Sequence, residues 1–111
     1  MEESSPRVNS ALLGGYAGKK VRLVCKVLNV NTVGRRATVE ASDGGRIEVQ
    51  FHGEDPGLEG STFVEVVGTA ADATTIKAML VIKLSDNLDM SIVERAVKMM
   101  HEERFADLFQ P

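Results

Sequence analysis

The C-terminal stretch from Asp89 to His101 has the clearest periodic pattern of apolar positions in the chain. Apolar residues recur there at three- and four-residue steps, which is typical of an amphipathic helix, and Asp89 is a suitable N-cap. The apolar positions form two neighbouring stripes, one of Ile92, Ala96 and Met99 and the other of Val93, Val97 and Met100. At about 100° per residue the stripes span roughly 160°, wider than the roughly 100° that packing on one core requires. The pattern therefore predicts a helix with apolar surface left for a second contact.

Five segments upstream of the helix predict β-strands, from an alternation of apolar and polar residues or from a short apolar run between turns. They are 20–28, 37–41, 46–51, 63–71 and 76–84. Asp43-Gly44-Gly45 is a strong hairpin turn between the second and third of these, and Gly68 predicts a bulge or bend in the fourth. In the fifth, residues 79–82 are all apolar, so we expect both of its faces to be covered.

Five strands with tight connections favour a small closed barrel, because closure removes the exposed edges of an open sheet. The strand lengths suit the OB-fold, a five-stranded Greek-key barrel, and an SH3-like barrel is the alternative that strand counting leaves open. We therefore predict an all-β barrel at residues 7–86 followed by a C-terminal oligomerisation helix at 87–111. Residues 1–6 are predicted to be a flexible tail, and Asn9 or Ser10 can cap a short turn before the barrel.

Composition narrows the function. The 111 residues allow one domain, and a net charge of −3 argues against a protein that holds nucleic acid unaided. The single cysteine, Cys25, excludes an internal disulfide and a cysteine-based zinc site, and its phase in the first strand predicts an inert core thiol. We find no signal-peptide pattern and no apolar run of membrane-spanning length, so we expect an intracellular protein without a membrane partner.

No motif in the sequence supports catalysis. The segment 14–20 is superficially similar to a phosphate-binding P-loop, but Leu13 stands in place of its first Gly and Lys20 in place of its Ser or Thr. His52 and His101 lie on different predicted elements, with no His or Cys at ligand spacing. We therefore expect no metal and no cofactor, and an enzyme is the least supported class of function.

Evidence for nucleic-acid binding by the barrel itself is thin. OB barrels stack bases on aromatic side chains of their second and third strands, between basic loops. The chain has only five aromatic residues, and Phe51 is in the buried phase of its strand. The best candidates for an auxiliary contact are Arg35, Arg36 and Arg46, although a solvated role is the simpler interpretation. Segment 19–84 has nine basic and eight acidic residues, so weak binding is expected.

Four segments of the chain resemble the family of the smallest subunit of eukaryotic replication protein A, a heterotrimer that binds single-stranded DNA. The Val-Glu-Val-Val-Gly segment is the most specific of them, and the similarity extends over nearly the whole chain. The segments are Arg7-Val8-Asn9 with Leu12-Leu13, Gly18-Lys19-Lys20-Val21-Arg22-Leu23-Val24, Val64-Glu65-Val66-Val67-Gly68, and Ala96-Val97-Lys98 with His101.

The resemblance implies a C-terminal helix that joins one helix from each of the two larger subunits in a three-helix bundle. It also implies a non-catalytic role in DNA replication, repair and recombination in the nucleus, with single-stranded DNA bound mainly by the complex. Together with the wide apolar arc, it predicts a set of partner contacts on the helix. These are Ile92, Val93, Ala96, Val97, Met99, Met100 and Phe105.

Two alternatives remain open. The helix could simply cover the mouth of its own barrel, because an apolar stripe at helical spacing is usually part of a core. The chain could also be an autonomous OB module that binds an oligonucleotide or a tRNA.

Overall fold

Six strands and two helices make up residues 5–102, the part of the chain that the computed structural model describes. The short first helix continues into a 3₁₀ turn at Gly14–Tyr16. In chain order the elements are β1 (Arg7–Val8), α1 (Ser10–Leu13), β2 (Lys20–Asn31), β3 (Arg36–Ala41), β4 (Arg46–Gln50), β5 (Phe63–Asp72), β6 (Thr75–Lys83) and α2 (Met90–Met100).

Five of the strands close into a barrel that begins and ends on β2. The first half of β2 pairs antiparallel with β5, and its second half pairs antiparallel with β3. The strands β3 and β4 form a hairpin, β4 runs parallel to β6, and β6 returns antiparallel to β5. This order confirms the prediction of an OB-fold barrel followed by a C-terminal helix, and it decides against the SH3-like alternative.

The barrel interior is filled by the apolar residues that alternate along the strands, as the sequence predicted. Phe51 lies in this core and not on the surface. The interior also receives the fully buried side chains of Leu13 from α1 and Leu58 from the connection between β4 and β5, in addition to Phe51 directly after β4. Leu13 and Leu58 each close part of the barrel that the strands alone leave open.

Two glycine positions confirm sequence predictions. At the β3–β4 turn, Gly44 has φ = +88° and donates its N–H to the Ala41 carbonyl, which is the geometry of a tight hairpin. At Gly68, a Cβ would collide with the Lys77 carbonyl oxygen of β6. The β5–β6 register shifts between Val67 and Gly68, so the predicted bulge lies where the two backbones leave no room for a side chain at Gly68.

The structure adds one strand and lengthens another. β1 pairs parallel to β2, with Arg7 opposite Arg22 and Val8 opposite Leu23. Two residues carry no measurable periodicity, which is why the sequence did not indicate this strand. β2 runs past a bulge near Val27 as far as Asn31, so the loop to β3 is shorter than predicted.

The prediction that both faces of the fifth strand are covered is wrong. Met79, Leu80 and Ile82 of β6 are 63%, 54% and 37% exposed. Only Val81 of this run packs against the core. Leu80 pairs with Val67 on the outer face of the barrel, and among the described residues these outward side chains stay open to solvent.

Candidate partner-binding helix and nucleic-acid face

Helix α2 begins where the sequence predicted. The Asp89 carboxylate accepts hydrogen bonds from the Ser91 hydroxyl at 2.6 Å and the Ser91 backbone N–H at 2.9 Å. These two bonds hold the pKa of Asp89 below its ordinary value. Asp89 is therefore an ionised N-cap that favours the start of the helix at neutral pH.

Glu94 fastens the middle of α2 to the barrel. Both of its carboxylate oxygens accept a hydrogen bond from the Asn9 side-chain amide, each at 3.1 Å. One of them, Oε1, also accepts a hydrogen bond from the Ser42 hydroxyl at 2.8 Å. The Lys98 ammonium lies 3.7 Å away, one turn further along the helix. The Asn9 side-chain oxygen also accepts the Leu12 N–H at 3.0 Å, so one amide caps α1 and holds α2.

His101 fastens the end of α2. Its Nε2 lies 2.8 Å from the Arg7 carbonyl oxygen of β1, and its Nδ1 lies 3.4 Å from the Tyr16 hydroxyl. The Tyr16 and His101 rings meet edge to face, with centroids 5.9 Å apart. Since a carbonyl can only accept, Nε2 is the donor to the Arg7 carbonyl.

The two anchors decide which apolar stripe faces the barrel, a question that the sequence left open. Glu94 and His101 are seven residues apart, hence on one side of the helix. Val97 lies between them and is 2% exposed. On the same side, Val93 and Met100 are half-buried.

The other stripe points away from the barrel. Ile92 is 61% exposed, Met99 is 40% exposed and Ala96 is also exposed. A role as a lid therefore accounts for one stripe and leaves most of the second open to solvent among residues 5–102. Phe105, the remaining predicted contact, lies outside the described residues.

The structure brings two of the three candidate arginines together and separates the third. Arg35 and Arg36 line a shallow groove of about 300 Å³ with Lys77, His52 and three further residues. The three others are Gly34, Gln50 and Phe51. Arg46 pairs with Glu40 near the turn of the hairpin, whereas Arg36 pairs with Gln50 at its far end. At about 3.3 Å per residue these positions are roughly 13 Å apart.

Lys77 is a basic residue of this groove that the sequence did not indicate. It enters because β4 and β6 pair in parallel, with Lys77 opposite Gln50. That pairing joins strands far apart in sequence, and no local pattern signals it.

The strand face beside the groove does not favour base stacking. The outward positions of β3 and β4 carry no aromatic side chain, although an OB stacking face would carry them there; they are Arg36, Thr38, Glu40, Arg46, Glu48 and Gln50. The Gln50 amide donates to the Glu48 carboxylate at 2.7 Å. The carboxylates of Glu40 and Glu48 offset the charges of Arg36 and Arg46, so this face has no excess positive charge to hold a phosphate backbone.

The one cysteine of the chain, Cys25, is buried in the barrel core. Burial raises the pKa of the Cys25 thiol to about 12, with a smaller contribution from the nearby Glu65 charge, so the thiol stays protonated. Residues 5–102 contain no group of His, Cys, Asp and Glu side chains that could hold a metal ion. No helix within that range is long and apolar enough to cross a membrane.

Comparison with known proteins gives a match along almost the whole chain. The family model described as replication factor A protein 3 matches residues 1–106. The chain is 34% identical over 113 aligned positions to a 14 kDa subunit of replication protein A from Arabidopsis thaliana. This alignment covers 98% of the chain and 99% of that relative.

Solved structures give the same result. A chain in the structure of U. maydis replication protein A bound to single-stranded DNA is 34% identical and superposes with a TM-score of 0.88, covering 100% of both chains. The telomere capping protein Ten1 from S. pombe superposes with a TM-score of 0.69 over 86% of this chain and 95% of its own. At 10% identity the likeness to Ten1 shows the fold alone. The chain belongs to the replication factor A protein 3 family, that of the smallest replication protein A subunit, as its sequence segments indicated.

Proposed function

We propose that this chain is a non-catalytic structural subunit of a heterotrimeric replication protein A complex, joined to two larger subunits through α2. The observation that carries the proposal is the exposed stripe of Ile92, Ala96 and Met99 on a helix whose opposite side is already fixed to the barrel. Membership in the family, and the full-length likeness to a chain of the U. maydis protein, support it.

The spacing of the stripe suits a helical bundle. Ile92, Ala96 and Met99 follow each other at four- and three-residue steps, which is the spacing of side chains that pack between neighbouring helices. The small Ala96 would allow close approach, and the flexible methionine can adapt to a partner surface. We therefore assign α2 to a three-helix bundle with one helix from each larger subunit.

The other predicted contacts take secondary parts in this proposal. Val97 is already buried in the single chain, so its contribution is to hold α2 in position. Val93 and Met100 are half-buried and can contact a partner at the edge of the stripe. Phe105 is kept as a candidate contact on sequence grounds alone.

In this proposal, single-stranded DNA is bound mainly by the assembled complex, in the nucleus, during replication, repair and recombination. The barrel, residues 7–86, adds at most a weak contact through the groove of Arg35, Arg36 and Lys77. Arg46 is the least favoured candidate because it lies at the other end of the hairpin. Residues 87–111 are the proposed oligomerisation segment. Of the tail predicted at 1–6, residues 1–4 lie outside the described residues, whereas the Pro6 carbonyl accepts the Arg22 N–H of β2 at 2.9 Å, so the prediction is wrong at Pro6.

The test is co-expression of the full chain with the two larger subunits of its own complex. Replacing Ile92 and Met99 together by Asp is expected to abolish co-purification, because two carboxylates would be buried in the bundle. The matched control replaces two other exposed apolar residues, Leu28 and Val33, by Asp, and should co-purify normally. Circular dichroism shows whether each barrel is folded. If a folded Ile92→Asp/Met99→Asp chain still recovers both larger subunits, α2 is not the joining element.

A second function, autonomous oligonucleotide binding, is favoured only by the basic groove. Its test is the affinity of the isolated full chain for a dT oligonucleotide at physiological salt. Sub-micromolar binding that is lost when Arg35 and Arg36 are both replaced by Ala would support the autonomous module. Weak binding that both replacements leave unchanged would count against it.

A further inference from the structure

The outer surface of β2, β5 and β6 forms a second candidate interface, separate from α2 and from the basic groove. We name it the basic–apolar face. It consists of a basic row and an apolar strip that lie side by side on the barrel. The row is Lys20, Arg22 and Lys26 of β2, and the strip is the exposed Leu80 and Ile82 of β6, with the buried Val67 of β5 between Arg22 and Leu80.

Strand register places the row and the strip next to each other. Arg22 pairs with Val67, and Val67 pairs with Leu80, so these three side chains form one line across the face. Ile82 lies in the next line, opposite Glu65. Along β2, Lys20 and Lys26 are six residues apart, or roughly 20 Å, which is the length of an extended peptide of about six residues.

The charge of the face is not balanced from within the described chain. Glu65 is its one acidic side chain, is 6% exposed and is already bound by Arg7 at 2.8 Å and Arg22 at 3.5 Å. Lys20 and Lys26 are exposed and make no ion pair within residues 5–102. The face is thus a positive region on a chain whose net charge is −3.

The apolar strip is the feature that selects the kind of partner. Leu80, Ile82 and the neighbouring Met79 are the exposed side chains that contradicted the prediction of a covered strand. A contiguous exposed apolar patch is typical of a protein-binding surface. The exposed side chains of the strip, Leu80 and Ile82, are aliphatic and offer little to a base, since bases stack on aromatic rings, and the aromatic Phe63 opposite Lys26 is half-buried.

We propose that the basic–apolar face binds an acidic peptide segment that also carries leucine or phenylalanine. Its carboxylates would pair with Lys20 and Lys26, and its apolar side chains would cover Leu80 and Ile82. The proposal rests on charge complementarity and on the exposed strip, and it does not depend on the role of α2.

The experiment uses the full chain and a short fluorescent peptide made of Asp, Glu, Leu and Phe residues, with binding followed by anisotropy. Reversing the charges with Lys20→Glu and Lys26→Glu is expected to weaken binding about tenfold, which corresponds to about 1.4 kcal/mol. Lys20→Arg with Lys26→Arg keeps the charges and should keep the affinity. Leu80→Ser should weaken binding several-fold, whereas Leu80→Met should not.

Three results would overturn the proposal. One is equal affinity of the charge-reversed and wild-type chains for the peptide. Another is equal binding of a control peptide in which Lys replaces each acidic residue. The third is binding of a dT oligonucleotide that the Lys20→Glu/Lys26→Glu change abolishes. That result would show that the face binds nucleic acid. Circular dichroism of each variant verifies that the barrel is intact.

Discussion

The Asn9 amide donates to both carboxylate oxygens of Glu94, 85 residues along the chain, at 3.1 Å each. Its oxygen meanwhile accepts the Leu12 N–H that opens α1. One side chain therefore links the first helix to the last. Because Asn9 is buried, its hydrogen bonds with Glu94 and with Leu12 are protected from competition with water.

Asn9→Asp separates these two roles. The new carboxylate can still cap α1, but it faces Glu94 with like charge, so α2 should loosen from the barrel. We expect a loss of roughly 1–3 kcal/mol in the free energy of unfolding, with faster hydrogen exchange concentrated in α2. Adding Glu94→Gln supplies an amide that can donate to the new carboxylate, so the hydrogen bond forms again with donor and acceptor exchanged. The double variant should therefore recover most of the lost unfolding free energy. A double variant as unstable as Asn9→Asp alone would show that this contact does not hold the helix.

Gly68→Ala tests the close approach of β5 and β6. Since the added methyl group would meet the Lys77 carbonyl, a backbone atom, the strands must separate. The expected cost is roughly 3 kcal/mol of unfolding free energy, measured by urea denaturation. Gly15→Ala is the matched control, because its methyl group would enter open space. If the two variants prove equally stable, the bulge does not impose a glycine.

Asp55 makes the stability of the connection 52–62 depend on pH. Its carboxylate accepts the N–H groups of Gly57, Leu58 and Glu59 at 3.0, 2.7 and 2.7 Å. Partial burial raises the pKa of Asp55, but these hydrogen bonds together lower it by more, so it lies below the ordinary value of 3.8. A folded-state pKa below the unfolded one adds stability above the unfolded value, and that stability is lost as pH falls through the folded value.

Asp55→Asn should therefore reduce the difference in unfolding free energy between pH 7 and pH 3. Other carboxylates with lowered pKa values, such as Asp43 and Asp72, keep part of that difference in both proteins. Urea denaturation at the two pH values measures it. The control is Glu54→Gln at the exposed neighbouring position, whose side chain takes no part in these hydrogen bonds. An unchanged pH difference in Asp55→Asn would rule out this role.

The elements that the sequence predicted well are those set by local pattern. The five strands β2 to β6, the Gly44 turn and the Asp89 cap are signalled by neighbouring residues, and each was confirmed. The parallel strand β1 was missed because its two residues gain their structure from β2 and not from their own sequence.

For the candidate site on α2, the sequence predicted the apolar residues but not which of them face the barrel. Both stripes of α2 were visible in the sequence, yet only the contacts of Glu94 and His101 with residues at the other end of the chain show which stripe faces the barrel. In the same way Lys77 joins Arg35 and Arg36 through a parallel pairing between distant strands. The error on residues 79–82 has a different origin: an unbroken apolar run indicates burial, and it cannot distinguish the chain's own core from a surface left open.

The double pairing of β2 sets an order of events for a chain leaving the ribosome. Its second half can pair with β3 as soon as that neighbour has emerged, since the β2–β3 contact is local in sequence. Its first half must wait for β5, with Lys20 opposite Thr69, so one side of β2 stays unpaired while residues between them are synthesised. Ring closure is therefore a late, non-local event, and α2 is the last of the described elements to be synthesised. A nascent or truncated chain exposes a pairing edge that the finished barrel no longer has.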